Sequence, residues 1–299
     1  MSSAAALIDR GVLVADLPLG PLTTYKSGGP ARWFAEVPDR DTLEELISTG
    51  LTKEHDLLVL GRGSNLVVAD RGFDGLVIRL GSGLSDIMID GTSVTAGAAM
   101  TLPRLARAAV EAGIAGLEFF VGVPGSVGGA VRQNAGCFGT ETKDRLVTAD
   151  VVDLHSGDRR TETPVSLDLS YRHSNLVPSD LVLQAQFQGS PGDRETGAEE
   201  MRAITRWRRD HQPGGTFNAG SVFKNPPGEP AGALIDRLGL KGTSVGDVAV
   251  SEKHANFFVA GPDATSEDIR RLVERVKAAV LELTGTNLET EIQFVGFER

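Results

Sequence analysis

Two glycine-rich segments hold the residues best suited to binding chemistry in this chain. The later one, Gly122-Val123-Pro124-Gly125-Ser126-Val127-Gly128-Gly129-Ala130, is followed closely by Asn134 and Gly136. Glycine loses more backbone freedom on folding than any other residue, so an ordinary turn has no use for this density. Backbone that must approach a large flat or phosphorylated ligand does. The earlier segment, Leu60-Gly61-Arg62-Gly63-Ser64-Asn65, has the outline of a dinucleotide fingerprint. It lacks the third glycine, however, and Leu66-Val67-Val68-Ala69 after it has strand rather than helix character. Either it is a plain turn, or Gly63, Ser64 and Asn65 present successive backbone N–H groups as an anion-binding nest. Two such loops on separate α/β segments suit a long ligand lying between them.

The remaining polar clusters are sparser. Arg206, Arg208 and Arg209 surround Trp207 in the one dense basic run, which reads as a solvated helix face or as a hold on the diphosphate of a small substrate. His55, His155, His173, His211 and His254 are scattered without metal-ligand spacing, so no metal is assigned. The single cysteine, Cys137, excludes an internal disulfide and fits a reducing compartment.

Alternating helix and strand signals must position these loops. Asp41 with Glu44 forms a capping-box pattern ahead of Leu43, Leu46 and Ile47, and Gly50 ends that helix. Leu57 to Leu60, Leu66 to Ala69 and Leu76 to Leu80 read as short buried strands. Ile87 to Asp90 and Thr92 to Ala96 form a hairpin over Gly91. Leu102, Leu105, Ala106, Ala109 and Val110 share one helix face, with Pro103 in the first turn and Gly113 as the stop. Strands follow at Leu146 to Leu154 and Leu181 to Phe187, and the stretch from Gly189 to Gly197 reads as a linker. The last hundred residues carry two more helices and a strand. Thr265 with Asp268 caps one helix, on which Ile269, Leu272, Val273, Val276, Val280 and Leu283 line a face, and Gly285 closes it. Glu291 to Phe297 is the terminal strand.

At 299 residues the chain predicts two or three compact domains. Hydrophobic residues make up 40%, and no apolar run approaches the roughly 20 residues of a membrane-spanning helix. Met1 to Ala6 has no basic flank and no cleavage site, so export is not expected and the setting reads as cytoplasmic. A net charge of −10 disfavours nucleic acid as a partner. No obligate protein partner is evident.

The loops, taken with motifs elsewhere, resemble those of the UDP-N-acetylenolpyruvoylglucosamine reductase family. Gly61 to Asn65, Gly116-Leu117-Glu118-Phe119 running into Val121 to Ala130, and Asn134-Ala135-Gly136 are similar to its FAD-binding segments. Thr24-Tyr25-Lys26-Ser27-Gly28-Gly29-Pro30-Ala31 is similar to its opening signature. Tyr171-Arg172-His173-Ser174, Gly220 to Pro226, Ser251 to Phe257 and Leu288 to Gly296 follow in the family's order. The resemblance implies an α+β fold: a two-part FAD-binding region of the vanillyl-alcohol-oxidase (PCMH) type at 1–80 and 81–193, and a substrate-binding C-terminal α+β domain at 194–299. It implies non-covalent FAD, with Cys137 in a packing role, and NADPH as reductant of a small UDP-sugar substrate. FAD would be held by Tyr25, Gly61, Gly63, Ser64, Asn65 and Leu66, then by Gly122, Val123, Pro124, Gly125, Ser126, Gly128, Gly129 and Ala130, and by Asn134 and Gly136. One form of the family inserts a loop carrying a substrate-facing tyrosine between the Tyr-Arg and Gly-Ser motifs. No tyrosine lies beyond Tyr171 here, so the chain resembles the shorter form.

By the same resemblance Arg172, Ser221 and Glu291 are catalytic, and Tyr171, Arg209, Lys224 and Asn225 hold the substrate. Hydride addition to the enolpyruvyl β-carbon leaves charge on the α-carbon and its carboxylate, and stabilising charge that appears only in the transition state accelerates the step. Arg172 offers a planar cationic fork. Glu291 would repel that charge if ionised, so the role requires it protonated. Ser221 would supply the proton to the α-carbon. His254 reads equally as a structural histidine or a ligand. The alternatives are another FAD-dependent oxidoreductase of the same fold, such as a sugar oxidase, and a sugar-nucleotide sensor without turnover.

Overall fold

A computed structural model of the chain describes residues 3–298, so the reading of the N-terminal stretch falls outside it at Met1 and Ser2. The chain forms two compact units. The first takes in the residues up to Ala15, Trp33–Gly61 and Asp74–Trp207; the second takes in Asp16–Arg32, Arg62–Phe73 and the chain from Arg208 on.

In the first unit a four-stranded sheet has the order Leu13–Pro18, Pro30–Val37, Phe73–Leu80, Asp56–Val59, its last two strands parallel with Leu57 opposite Leu76. Leu43 and Leu46, buried on the Arg40–Ser48 helix, share a core with Ala35, Val37, Leu57, Leu76 and Ile78. That helix is capped by Asp39 rather than Asp41: Asp39 has extended backbone, and its carboxylate accepts from the Thr42 N–H at 2.8 Å. An N-cap needs only an acceptor for a free N–H, so the partner glutamate of the Asp41 and Glu44 pattern is not required. An antiparallel sheet follows, ordered Arg159–Glu162, Leu146–Asp153, Asp180–Gln188, Ser93–Gly97, Ile87–Asp90. Its Val94, Ala96, Ala149, Val151, Ala185 and Phe187 pack with Leu102, Leu105, Ala106 and Ala109 of the Leu102–Glu111 helix. The segment expected as a linker is tied down. Ser190–Pro191 pairs with Ile114–Ala115, and a Cβ on Gly189 or Gly192 would lie 2.3 or 2.5 Å from those residues. Its glycines permit close packing, and its last four residues, Arg194 to Gly197, already form the first turn of the Arg194–His211 helix.

The second unit is built on the Ser266–Thr284 helix. Ile269, Leu272, Val273, Val276 and Val280 are buried there, whereas Leu283, in the last turn, is 61% exposed and does not belong to the core face. The helix packs with a three-stranded antiparallel sheet, Ser244–Val245, Val248–Val250 and Phe258–Ala260. Leu66–Val68 pairs in parallel with Gln293–Val295, which is all of the terminal stretch that forms a strand. Thr265 and Asp268 close a capping box, and Asp70 adds to it by accepting from Ser266 N at 2.8 Å and Glu267 N at 3.0 Å. The Thr24 to Ala31 segment is anchored here too, since a Cβ on Gly29 would stand 2.3 Å from the Asp70 carbonyl.

Candidate active site

Within the first unit Gly61 lies close to the later glycine loop: a Cβ on it would sit 2.9 Å from Ser126 Oγ. Ser126 caps the short Val127–Gln133 helix by accepting from Gly129 N. The glycines of this loop divide into two kinds. Gly128 packs tightly, with a would-be Cβ 3.1 Å from the Ala98 Cβ, so its neighbours would have to give way to any side chain there. Gly125 and Gly129 have no such need, because their nearest neighbours would be at 3.5 Å, ordinary contact, and neither has positive φ. Glycine where the fold would accept alanine fits a surface kept bare for a bound group. Pro124 and Gly129 are exposed, Val123 is half-buried, and Gly122 and Ala130 are buried. The cradle suits the backbone approach that FAD requires.

Asn134 and Gly136 are committed inside the protein. Asn134 is fully buried in left-handed conformation, its Nδ2 donating to Glu141 Oε2 at 3.0 Å and to the Ser170 carbonyl at 2.8 Å, its Oδ1 accepting from Lys143 N at 2.9 Å. A Cβ on Gly136 would meet the Thr140 carbonyl at 2.4 Å. Both support Arg172. Its Nη2 donates to the Gly136 carbonyl at 3.0 Å, Nη1 lies 3.5 Å from Glu141 Oε1, and the guanidinium sits 5.0 Å from the centroid of the Tyr171 ring. Glu141 carried no signal in the sequence, since its contact to Arg172 spans 31 positions.

The second unit brings Ser221 and Glu291 together. Ser221 follows Gly220, which has φ +75°. The next residue, Val222, accepts at its carbonyl from Glu291 N at 2.8 Å. Lys224 N donates to the Glu289 carbonyl at 2.9 Å, and Lys224 Nζ pairs with the Glu289 carboxylate at 3.5 Å. Asn256 straps this segment from the other side. Its carbonyl accepts from Val222 N, its Oδ1 from Phe223 N at 2.9 Å, and its Nδ2 donates to the Phe223 carbonyl at 2.8 Å. Sequence reasoning gave Asn256 no part, although its motif was recognised. Asn65 Nδ2 donates to the Glu291 carbonyl at 3.0 Å, so the earlier loop positions the glutamate strand. Gly63 is required for packing, since a Cβ would stand 2.3 Å from the Leu22 carbonyl. Ser64 is half-buried and Leu66 is buried in the strand that pairs with the chain's end.

Tyr25 is 1% exposed within the second unit's core; burial raises its pKa, and the nearby Ala219 backbone does not complete an ordinary hydrogen bond to the phenol. That leaves its ring almost no surface for a ligand. Asn225 Oδ1 accepts from Ala231 N at 3.0 Å at the start of the Ala231–Arg237 helix. Arg209 is exposed and bonds the neighbouring Asp210 at 2.9 Å, while Trp207 meets Phe138 edge to face at 5.3 Å. Cys137 Sγ lies 3.1 Å from the Phe119 carbonyl. His254 is partly buried against Phe257 and accepts from Asn256 N at 3.2 Å, and desolvation lowers its pKa.

A model of the FAD binding domain matches residues 32–161, and one of the UDP-N-acetylenolpyruvoylglucosamine reductase C-terminal domain matches 212–295. With the bare glycine cradle, this defines an FAD-dependent oxidoreductase of α+β, PCMH-type fold. The UDP-N-acetylenolpyruvoylglucosamine reductase of Parvibaculum lavamentivorans is 44% identical over 99% of this chain and 96% of its own. That of Agathobacter rectalis is 42% identical over 95% and 94%. A crystal structure of the Thermus caldophilus UDP-N-acetylenolpyruvylglucosamine reductase superposes with a TM-score of 0.81 at 37% identity, covering 95% of this chain and 98% of that one. The chain belongs to the UDP-N-acetylenolpyruvoylglucosamine reductase family.

Proposed function

We propose that the protein reduces UDP-N-acetylenolpyruvoylglucosamine to UDP-N-acetylmuramate, a peptidoglycan precursor, using NADPH. FAD held in the glycine cradle would supply the two-electron chemistry that couples oxidation of NADPH to reduction of the enolpyruvyl group. Residues 1–80 and 81–193 would hold that cofactor through the two glycine loops, and 194–299 would take the sugar nucleotide. Among the described residues no helix is long and apolar enough to cross a membrane. A cytoplasmic setting is the one that supplies NADPH and keeps the lone cysteine reduced. The product's place in wall synthesis ties the enzyme to cell shape and division.

The chain's own residues divide the remaining work. Arg172 pairs with the substrate carboxylate as charge accumulates on it. Glu291, protonated in the substrate complex, donates a hydrogen bond to the same developing oxyanion. The Ser221 hydroxyl gives its proton to the α-carbon and regains one from solvent, completing net addition of one hydride and one proton. Tyr171, Arg209, Lys224 and Asn225 orient the sugar nucleotide. Support comes above all from the hydrogen bond between Glu291 N and the Val222 carbonyl at 2.8 Å, which ties the backbone of the proposed oxyanion donor to the residue next to the proposed acid. In Ser221→Ala, NADPH should still bleach the flavin while turnover falls by roughly the 10²–10⁴-fold of a lost general acid. Turnover at the parent rate would remove Ser221 from the mechanism.

A further inference from the structure

Arg172 has φ +54°, in the left-handed region that a residue with a Cβ rarely enters. It does so inside a tight turn in which Ser170 N donates to the His173 carbonyl at 3.3 Å and His173 N to the Ser170 carbonyl at 3.0 Å. Backbone in such a state persists where its surroundings over-determine it, and such places cluster at working sites. Glu141 is the hub of those surroundings. One carboxylate oxygen faces Arg172 Nη1 at 3.5 Å, and the other takes the Asn134 amide at 3.0 Å and the Lys143 ammonium at 3.2 Å. Asn134 in turn grips the carbonyl of Ser170, two residues before the arginine. The Arg172 and Glu141 side chains are only 16% and 19% exposed, so water screens this pair less than a surface ion pair.

We propose that Glu141 is a positioning residue for Arg172. Together with the Gly136 carbonyl and the Tyr171 ring it fixes the plane of a guanidinium that would otherwise turn about a flexible stem. It also lowers the net charge there, so that the arginine responds to charge appearing during reaction rather than clamping an anion in any state. This rests on the reading of Arg172 given above. Glu141 also caps the turn Thr142–Asp144, a purely local duty that the test must separate from the one proposed.

The experiment is a double-mutant cycle on the FAD holoenzyme, following flavin bleaching by NADPH and then its reoxidation by the enolpyruvyl UDP-sugar. Substrate Kd is read separately, from the shift of the flavin spectrum on binding. Glu141→Ala should keep its flavin and its reduction by NADPH, and be reoxidised about tenfold or more slowly with a smaller change in Kd. In an Arg172→Ala background the same substitution should cost less than about twofold, since a residue acting through Arg172 has nothing left to position. Equal loss in both backgrounds would reduce Glu141 to a turn cap and overturn the proposal. Reoxidation at the parent rate in Glu141→Ala, with Arg172→Ala slow, would also overturn it while leaving Arg172 in place. Parent-rate reoxidation in Arg172→Ala would instead sink the arginine's catalytic role itself. Should Glu141→Ala not retain flavin, Glu141→Gln, which keeps the side chain's shape and one acceptor, goes through the same cycle under the same criteria.

Discussion

A Cβ built on Gly129 would touch only Ser126 Oγ, at ordinary distance, whereas one on Gly136 would collide with the Thr140 carbonyl, so glycines of two neighbouring motifs exist for different reasons. The difference predicts opposite behaviour. Gly129 lies in the Val127–Gln133 helix without positive φ, where alanine is favoured over glycine by about 0.5–1 kcal/mol. Gly129→Ala should therefore leave the flavin-free protein as stable as the parent or slightly more so, while weakening FAD retention. Gly136→Ala should lower the melting temperature of the flavin-free protein directly. Differential scanning fluorimetry on both forms, with flavin content read from absorbance, checks the pair; full FAD occupancy in Gly129→Ala would refute the bare-cradle reading. The glycine loops were legible in the sequence because composition alone marks them. Glu141 and Asn256 were not, because their worth lies in hydrogen bonds to Arg172 and Phe223 that no spacing rule announces.

Helices show the same division one scale up. The Ser266–Thr284 helix could be read from its capping box and its buried stripe, both local properties. The Arg194–His211 helix gave little signal because only Gly197 and Ile204 are buried along it, and a mostly solvated helix has no apolar period to detect. Close approach also misleads, as at Gly189 and Gly192, where glycines that let two strands touch have the composition of a flexible linker. Asp70 caps the Ser266–Thr284 helix from a distance of 196 positions, a partnership the sequence does not advertise. Removing it in Asp70→Ala leaves the Ser266 and Glu267 N–H groups without their carboxylate and a helix N-terminus without a nearby anion. A loss of about 1 kcal/mol is expected, within the range of N-cap deletions. The urea midpoint should fall with the slope unchanged. An unaltered midpoint would show that the Thr265 and Asp268 capping box suffices alone.

At the scale of the whole chain, the second unit is discontinuous: Asp16–Arg32 and Arg62–Phe73 belong to it as much as the residues after Arg208 do. A reading that walks along the sequence naturally cuts contiguous pieces, because patterning reports which residues are buried but not against what. The consequence is a folding prediction. A fragment of residues 208–299 contains the whole match to the C-terminal domain, 212–295, yet it lacks three things. Missing are the Leu66–Val68 strand that pairs with Gln293–Val295, the Asp70 carboxylate at the helix N-terminus, and the core side chains of Tyr25 and Val67. Without them the Gln293–Val295 strand has unpaired backbone groups and the helix core has an open side, defects that a domain of marginal stability cannot absorb. The isolated fragment should keep some helical circular dichroism but show collapsed amide dispersion and no cooperative thermal transition, whereas a polypeptide joining 16–73 to 208–299 should recover part of both. A sharp melting transition and dispersed amide spectrum in the 208–299 fragment alone would mean that the N-terminal segments decorate this unit rather than complete it.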